Sequence, residues 1–197
     1  MKQNTLTQKD DGIDKVASTL SLRELTKEHH DAAESTMFMR LFAAKAITEV
    51  EYAKYLTQMV LVYTALETKL AQIPEFADIF KGGWRLSNMR QDLAKFTENV
   101  GAQSICLSAV DYYNEILQMK DANELFAHYY VRIAGDLFGG QMLKKLVPGA
   151  ASWYDFDDDV SNSLRISLRN LARPALSPWV AVAYDWNILI LKDLIKE

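Results

Sequence analysis

Three glycines and one aspartate interrupt a segment that is otherwise rich in good helix formers. The glycines are Gly135, Gly139 and Gly140, and Asp136 follows the first of them. A glycine inside a helix costs about 1 kcal/mol relative to alanine, so three together cost on the order of 3 kcal/mol. Because Gly135 and Gly139 are four residues apart, they share one helix face and leave a strip without side chains. Either a flat ligand or a tight crossing with another helix would explain the strip, and periodicity alone does not separate the two.

The chain contains three histidines, His29, His30 and His128, the residue type that most often binds a metal through a neutral ring. His29 and His30 are adjacent, so on a helix they point about 100° apart and only one can enter a given pocket. The apolar face of this helix is centred close to His29, because of four neighbours: Leu22, Leu25, Ala32 and Ala33. The helical wheel therefore places His29 inward, and His128 is expected to have a structural role.

Two separate motifs resemble the heme oxygenase family. The run Gly135-Asp136-Leu137-Phe138-Gly139-Gly140-Gln141, followed by Leu143-Lys144-Lys145, is similar to that family's distal-helix signature. Upstream, Thr26-Lys27-Glu28-His29-His30 resembles the segment that carries the family's proximal iron ligand. Looser similarity lies between them, at 38–40, 63–67 and 91–93, so the resemblance covers roughly residues 20 to 195.

The resemblance implies that a heme is held between these two motifs. It selects His30 as the iron ligand, in disagreement with the helical wheel. It also makes Asp136 catalytic, as the group that orders water beside bound oxygen and directs protons, with Gly135 and Gly139 against the heme. The alternative for Asp136 is an exposed helix charge. Phe138 departs from the family's usual small polar residue, which implies a change in distal-helix flexibility or pocket volume.

Further heme contacts follow from the same resemblance. The two heme propionates need cations, and grouped Arg or Lys side chains are the usual solution. The residues that the resemblance assigns to heme binding, besides the two glycines, are Arg23, Lys27, Tyr130 and Arg169. Arg165 and Arg173 remain alternatives to Arg169 on the same late helix.

The function implied is that of a bacterial-type heme oxygenase, which cleaves heme to biliverdin, carbon monoxide and ferrous iron with O2. The chain has no G-x-G-x-x-G motif after a strand, so no bound flavin or nucleotide is expected. Electrons would come from an external donor of the ferredoxin or flavodoxin reductase type, and the protein would be a monomer. A heme carrier or sensor that releases heme intact is the alternative, and a helical interaction module without a cofactor is a third possibility.

Length, composition, net charge and cysteine content limit the class of protein and the compartment that we expect. The chain has 197 residues, 49% of them hydrophobic, which fits one domain with a sizeable core. The net charge of −4 argues against nucleic-acid binding. The single cysteine, Cys106, cannot form an internal disulfide, which favours a reducing compartment. Residues 1–17 lack the apolar run of a signal peptide and no stretch reaches 18 apolar residues, so we expect a cytoplasmic protein without a membrane span.

The order of capping and breaking residues predicts the fold. Residues 1–17 are expected to be a mobile polar tail, and 18–197 a single all-α domain of about eight helices. Capping boxes at Ser21 and Thr48 begin two helices, and Pro74 ends the second. Ser87, Ser108, Asp121 or Asn123, and Ser177 are the other predicted starts. Residues 150–159 read as an acidic loop whose aromatic side chains fold back onto the body.

Overall fold

The computed structural model describes residues 20–195, and every regular element in that range is helical. The prediction of an all-α fold is therefore confirmed. The expected tail at 1–17 lies outside the described residues. Within 20–195, no helix is long and apolar enough to cross a membrane.

Eleven α-helices occur in this range, together with one π-helical turn at Gly135–Gly139 and two short 3-10 turns. In chain order their bounds are α1 Leu22–Leu25, α2 Lys27–Glu34, α3 Met37–Ala43, α4 Glu49–Leu70, α5 Pro74–Ile79, α6 Leu86–Val100, α7 Leu107–Gln118, α8 Ala122–Ala134, α9 Gly140–Lys144, α10 Asp158–Leu171 and α11 Ser177–Leu194. The 3-10 turns are Ser152–Tyr154 and Pro174–Leu176.

The count exceeds the predicted eight for three local reasons. Thr26 leaves helical geometry, at φ −111° and ψ 12°, and divides the first predicted helix into α1 and α2. Pro74 ends the long helix as expected, but it also takes the N1 position of α5. Proline is favoured there because its fixed φ suits a first turn that needs no N–H. The π-helical turn divides the glycine-bearing helix into α8 and α9.

The central helix of the domain is α4, which packs against α6, α7, α8 and α11. One apolar stripe of α4 has seven positions, of which six are buried and one, Val60, is half-buried. The buried positions are Tyr52, Leu56, Met59, Tyr63, Leu66 and Leu70. Because Gln58, Val62 and Ala65 are buried as well, α4 is enclosed on most sides and forms the core.

Local capping boxes begin two helices as the sequence indicated. The Ser21 hydroxyl accepts from the Glu24 N–H at the start of α1, and Thr48 does the same for Glu51 at the start of α4. In each box the glutamate carboxylate accepts from the backbone N–H of the capping residue, at 2.7 Å for Ser21 and 2.9 Å for Thr48. These reciprocal bonds satisfy N–H groups that have no partner within the helix.

The start of α6 is set by a distant carboxylate instead of the predicted Ser87. Glu67 of α4 accepts from the N–H groups of Arg85, at 2.6 Å, and Leu86, at 3.2 Å. Its pKa is raised to about 7 because it is buried, while the two backbone N–H donors act in the opposite direction. The helix therefore begins at Leu86, one residue early.

Two other predicted caps are displaced. The N-cap residue of α7 is Cys106 and not Ser108, because the Cys106 N–H is held by the Gln58 side-chain oxygen at 2.9 Å. The N-cap residue of α11 is Leu176 and not Ser177. At α8 the prediction holds, since Asp121 accepts from the N–H groups of the first turn.

The acidic loop folds back onto the body as predicted. Trp153 and Tyr154 are 1% exposed. The indole Nε1 of Trp153 donates to the Tyr52 hydroxyl at 3.0 Å, and its backbone N–H donates to the Asp92 carboxylate at 3.0 Å. Tyr154 then packs against Gly140 of α9, so this loop holds one side of the glycine-bearing segment.

Candidate functional site

The glycine strip, defined as Gly135 and Gly139, faces open space. A Cβ built on Gly135 meets no atom within 4 Å, and one on Gly139 meets only Leu143 Cδ1, at 4.0 Å. A Cβ on Gly140 would instead lie 2.8 Å from Tyr154 Cδ1. Tight packing therefore explains Gly140 but not the two glycines of the strip. Of the two interpretations that the sequence left open, the structure favours a surface kept free for a ligand.

The π-helical turn at Gly135–Gly139 interrupts the regular α-helical hydrogen bonding at the strip. Such turns are rare and are frequently found at functional sites. The guanidinium of Arg165, on α10, donates from Nη2 to the Leu137 carbonyl at 3.0 Å. This hydrogen bond from α10 stabilises the π-helical turn, because Leu137 lies within the turn.

Asp136 is buried beside the strip, with 7% of its surface exposed. This excludes the alternative of an exposed helix charge. Burial raises its pKa to about 7, and a hydrogen bond donated by the Tyr63 hydroxyl, with the charges of Arg132 and Arg85, acts in the opposite direction. Because this pKa lies near physiological pH, the carboxyl group can both hold and release a proton there.

Several buried polar atoms lie beyond 3.5 Å hydrogen-bond geometry of any partner among the described residues, although the Tyr129 hydroxyl still interacts with Glu67. They are Arg132 Nε and Nη2, the Tyr129 hydroxyl, His128 Nε2 and Asn187 Oδ1. An unpaired buried polar group costs about 1–3 kcal/mol. Such groups are normally satisfied by ordered water or a ligand. Of these residues, Arg132 lies one turn before Asp136 in the chain and its charge acts on the Asp136 carboxyl group.

His128 is 1% exposed. Its Nδ1 lies 2.9 Å from the Tyr112 hydroxyl. Burial lowers its pKa to about 4, and the charge of Arg132 adds to this effect. The ring is therefore neutral at pH 7 and enclosed among side chains, as expected of a structural histidine.

His29 and His30 are both half-buried, and neither lies in the core. His29 Nδ1 is 3.2 Å from the Asp185 carboxylate on α11, which joins α2 to that helix. His30 makes only longer polar contacts, 3.8 Å from Nε2 to the Glu34 carboxylate, and its ring meets the edge of Tyr184 at 5.9 Å between centroids. The helical wheel was therefore wrong to place His29 in the interior, and of the two rings His30 is less engaged by protein.

The other residues assigned from the resemblance lie on three elements. The charge of Arg23 acts on both Tyr130 and Tyr184, lowering their pKa values against the larger effect of burial. Arg23 is therefore close enough to Tyr130 of α8 and Tyr184 of α11 for its charge to act on both hydroxyl groups. Lys27 is exposed and paired with Asp31, its neighbour one turn later.

Arg169 lies exposed on α10, one turn after Arg165. Arg165 is already tied to the π-helical turn through Leu137, and its guanidinium carbon lies 4.9 Å from the centre of the Phe138 ring. Arg169 is therefore the freer of these two cations. Phe138 itself is 56% exposed.

Sequence reasoning did not assign Tyr63 or Arg132 to the site. Arg132 precedes Asp136 by four residues, so their shared helix face was a signal that could have been used. Tyr63 lies 73 positions away, in a stretch of looser family similarity, and no local pattern joins it to Asp136.

Comparison with known proteins places the chain in a family. The profile of the heme oxygenase family matches residues 17–159, so the chain belongs to the heme oxygenase family. Heme oxygenase 1 of Synechocystis is 32% identical over 142 residues, covering 68% of this chain and 59% of that protein. The match thus takes in less than two thirds of that relative's length.

Two solved structures share the fold. The crystal structure of Synechocystis heme oxygenase-1 in complex with heme has a TM-score of 0.78 at 25% identity, covering 91% of this chain and 92% of that chain. The heme oxygenase of Leptospira interrogans has a TM-score of 0.74 at 26% identity, covering 89% and 98% respectively. The similarity extends over nearly the whole described range.

Proposed function

We propose that this protein binds heme as its substrate and opens the ring oxidatively to biliverdin, carbon monoxide and ferrous iron. O2 and an external electron donor of the ferredoxin or flavodoxin reductase type would complete the reaction. One observation carries the proposal: the bare strip at Gly135 and Gly139 adjoins Asp136, a buried carboxyl group whose pKa is raised to about 7. An open flat surface and a proton-exchanging group are what an oxidative attack on a flat substrate needs.

His30 is the proposed iron ligand. A neutral imidazole nitrogen binds heme iron well, and one axial histidine is typical where O2 must reach the other face. His30 is half-exposed and in edge contact with Tyr184, whereas His29 is engaged with Asp185. Each ring nitrogen of His30 has a carboxylate at 3.8 Å, Asp31 beside Nδ1 and Glu34 beside Nε2, so an acceptor lies near whichever nitrogen does not bind iron.

The glycine strip allows the substrate to approach the helix backbone. A side chain at Gly135 or Gly139 would project into the open space that both positions face. The strip also offers no side-chain atom that could become a second iron ligand. The iron face on this side is thereby left to O2.

Asp136 would control protons on that side. The Tyr63 hydroxyl holds the carboxyl group in place, and the unpaired N–H groups of Arg132 lie on the same helix one turn earlier. Water that satisfies these donors would be ordered next to the strip. A carboxyl group with a pKa near 7 can pass protons through such water without itself touching iron.

Cations at the rim would bind the propionates. Arg23, Lys27 and Arg169 are exposed on α1, α2 and α10, and Tyr130 lies half-buried close enough to Arg23 to feel its charge. The exposed positions allow these side chains to reorient towards a dianion, and Lys27 would exchange its ion pair with Asp31 for one with a propionate.

The test begins with heme binding. We expect the purified protein to give a Soret band on titration with heme and to lose that band after ascorbate is added in air. Biliverdin should then be recovered by chromatography. A Soret band that persists, with intact heme recovered, would instead support a carrier or sensor. No Soret band at all would support a helical module that binds no cofactor.

A further inference from the structure

Phe138 lies at the edge of the glycine strip and is exposed to an unusual degree for a phenylalanine. It precedes Gly139 directly and follows Asp136 by two residues. Side chains two residues apart on a helix point in roughly opposite directions. Asp136 is 7% exposed and Phe138 56%, so these two side chains flank the strip on its inner and outer sides.

The Phe138 ring has a fixed support. It lies against the guanidinium of Arg165, 4.9 Å from the ring centre to the guanidinium carbon. Arg165 is itself fixed by two hydrogen bonds, from Nη2 to the Leu137 carbonyl at 3.0 Å and from Nε to the Ser161 hydroxyl at 3.3 Å. The Phe138 ring is therefore held in place at the edge of the strip by Arg165, and it does not rotate freely as an isolated surface side chain would.

We propose that Phe138, held against Arg165, forms a wall on the outer edge of the strip that fixes the in-plane rotation of bound heme. Phe138 would thereby determine which ring-opened isomer is produced. This inference rests on the proposed function, and it makes Phe138 a positioning residue, because no proton or electron passes through it.

The need for such a wall follows from the shape of the substrate. Heme is nearly four-fold symmetric, and a single axial histidine leaves its rotation about the iron–nitrogen bond undetermined. Contacts at the ring edge must decide the rotation, and they include a steric wall as well as the rim cations proposed above for the propionates. On the inner side the strip ends at Asp136, and on the outer side the first large side chain in the chain is Phe138. The partly exposed cation–π contact with Arg165 gives the Phe138 ring about a two- to fivefold preference for this position.

The experiment compares the parent with Phe138→Ala and, as a control, Ile166→Ala. Ile166 is 62% exposed and adjacent to Arg165 in sequence, and the site described above does not use it. Two quantities are measured on each protein: the ratio of biliverdin isomers after reaction with ascorbate, and the heme methyl proton shifts of the ferric cyanide complex. The methyl shifts report ring rotation without any turnover.

We expect Phe138→Ala to change the isomer ratio at least about twofold and to redistribute the methyl shifts. Ile166→Ala should leave both quantities at their parent values. Arg165→Lys, which keeps the charge but loses the flat stacking surface, should give a smaller change in the same direction. If Phe138→Ala leaves both quantities at their parent values, the wall does not exist. Should Phe138→Ala fold poorly, Phe138→Leu replaces it with the same expectation.

The two proposals can fail separately. A parent that binds heme but does not open it refutes the proposed activity, while the methyl shifts still decide whether Phe138 positions the ring. If the parent opens heme but Phe138→Ala has the parent's methyl shifts and isomer ratio, only the proposed role of Phe138 is refuted. A parent that binds no heme refutes both.

Discussion

Alanine at Gly135 should stabilise the heme-free protein, whereas alanine at Gly140 should destabilise it. Gly135 has right-handed helical geometry, at φ −58° and ψ −47°, and its added Cβ meets nothing within 4 Å. The gain in helix propensity is therefore unopposed and worth up to about 1 kcal/mol. At Gly140 the same gain is opposed by overpacking, because the Cβ would lie 2.8 Å from the buried Tyr154 ring. Overpacking costs about 1–3 kcal/mol.

The substitution that stabilises the heme-free protein is expected to weaken heme binding. Gly135→Ala should weaken heme affinity, because the added methyl occupies the surface against which the ring lies. An overpacking cost of about 1–3 kcal/mol at that contact corresponds to about five- to 150-fold in Kd. Gly139→Leu should weaken it further, with little loss of stability in the heme-free form. The stabilising substitution would thus be the damaging one for function.

Thermal unfolding of the heme-free variants and heme titration on the same samples measure both effects. For a domain of this size, 1 kcal/mol shifts Tm by about 2–4 °C. We expect a higher Tm and weaker heme binding for Gly135→Ala, and a lower Tm for Gly140→Ala. If Gly135→Ala lowers Tm as Gly140→Ala does, Gly135 is a packing residue and the open strip is not a binding surface.

Three further predictions concern the two sides of the site. His30→Ala should abolish the axial histidine signal in resonance Raman spectra of the ferrous heme complex, and His29→Ala should retain it; the reverse result would move the ligand to His29. Tyr63→Phe removes a hydrogen bond that lowers the pKa of Asp136, so the acid–base profile of turnover should shift to higher pH; an unshifted profile would remove Asp136 from proton transfer. Because the pKa of Asp136 rises from 3.8 to about 7 on folding, its contribution to stability is present at low pH and lost as pH rises through about 7. The free energy of unfolding of the parent relative to Asp136→Asn should therefore fall between about pH 4 and pH 7, and a constant difference would contradict the raised pKa.

The features that could be predicted from sequence are those set by near neighbours. The capping boxes at Ser21 and Thr48 act over three residues, so both helix starts were predicted correctly. The start of α6 could not be, because Glu67 supplies its cap from another helix and Ser87 looked like a sufficient local signal. A distant partner outweighs a local preference when it is buried and already in place.

The same distinction applies to the site. The spacing of Gly135 and Gly139 predicted a bare strip, but only the structure shows that it faces open space while Gly140 packs against Tyr154. Asp136 is buried against Tyr63 of α4, 73 positions away, so a sequence pattern could not separate it from an exposed charge. The stacking of Phe138 on Arg165 likewise joins two elements that no periodicity relates.

Asp136→Ala tests the central claim most directly, because it separates heme binding from heme opening in one protein. Heme affinity and the axial histidine signal should stay at parent values, since Asp136 is proposed to order water and not to hold iron. The ferric heme complexes of parent and variant are then treated with ascorbate in air, and the products are identified. We predict biliverdin from the parent and little or none from the variant. Biliverdin formed by Asp136→Ala at the parent's rate would contradict the proposed role of Asp136 in directing protons.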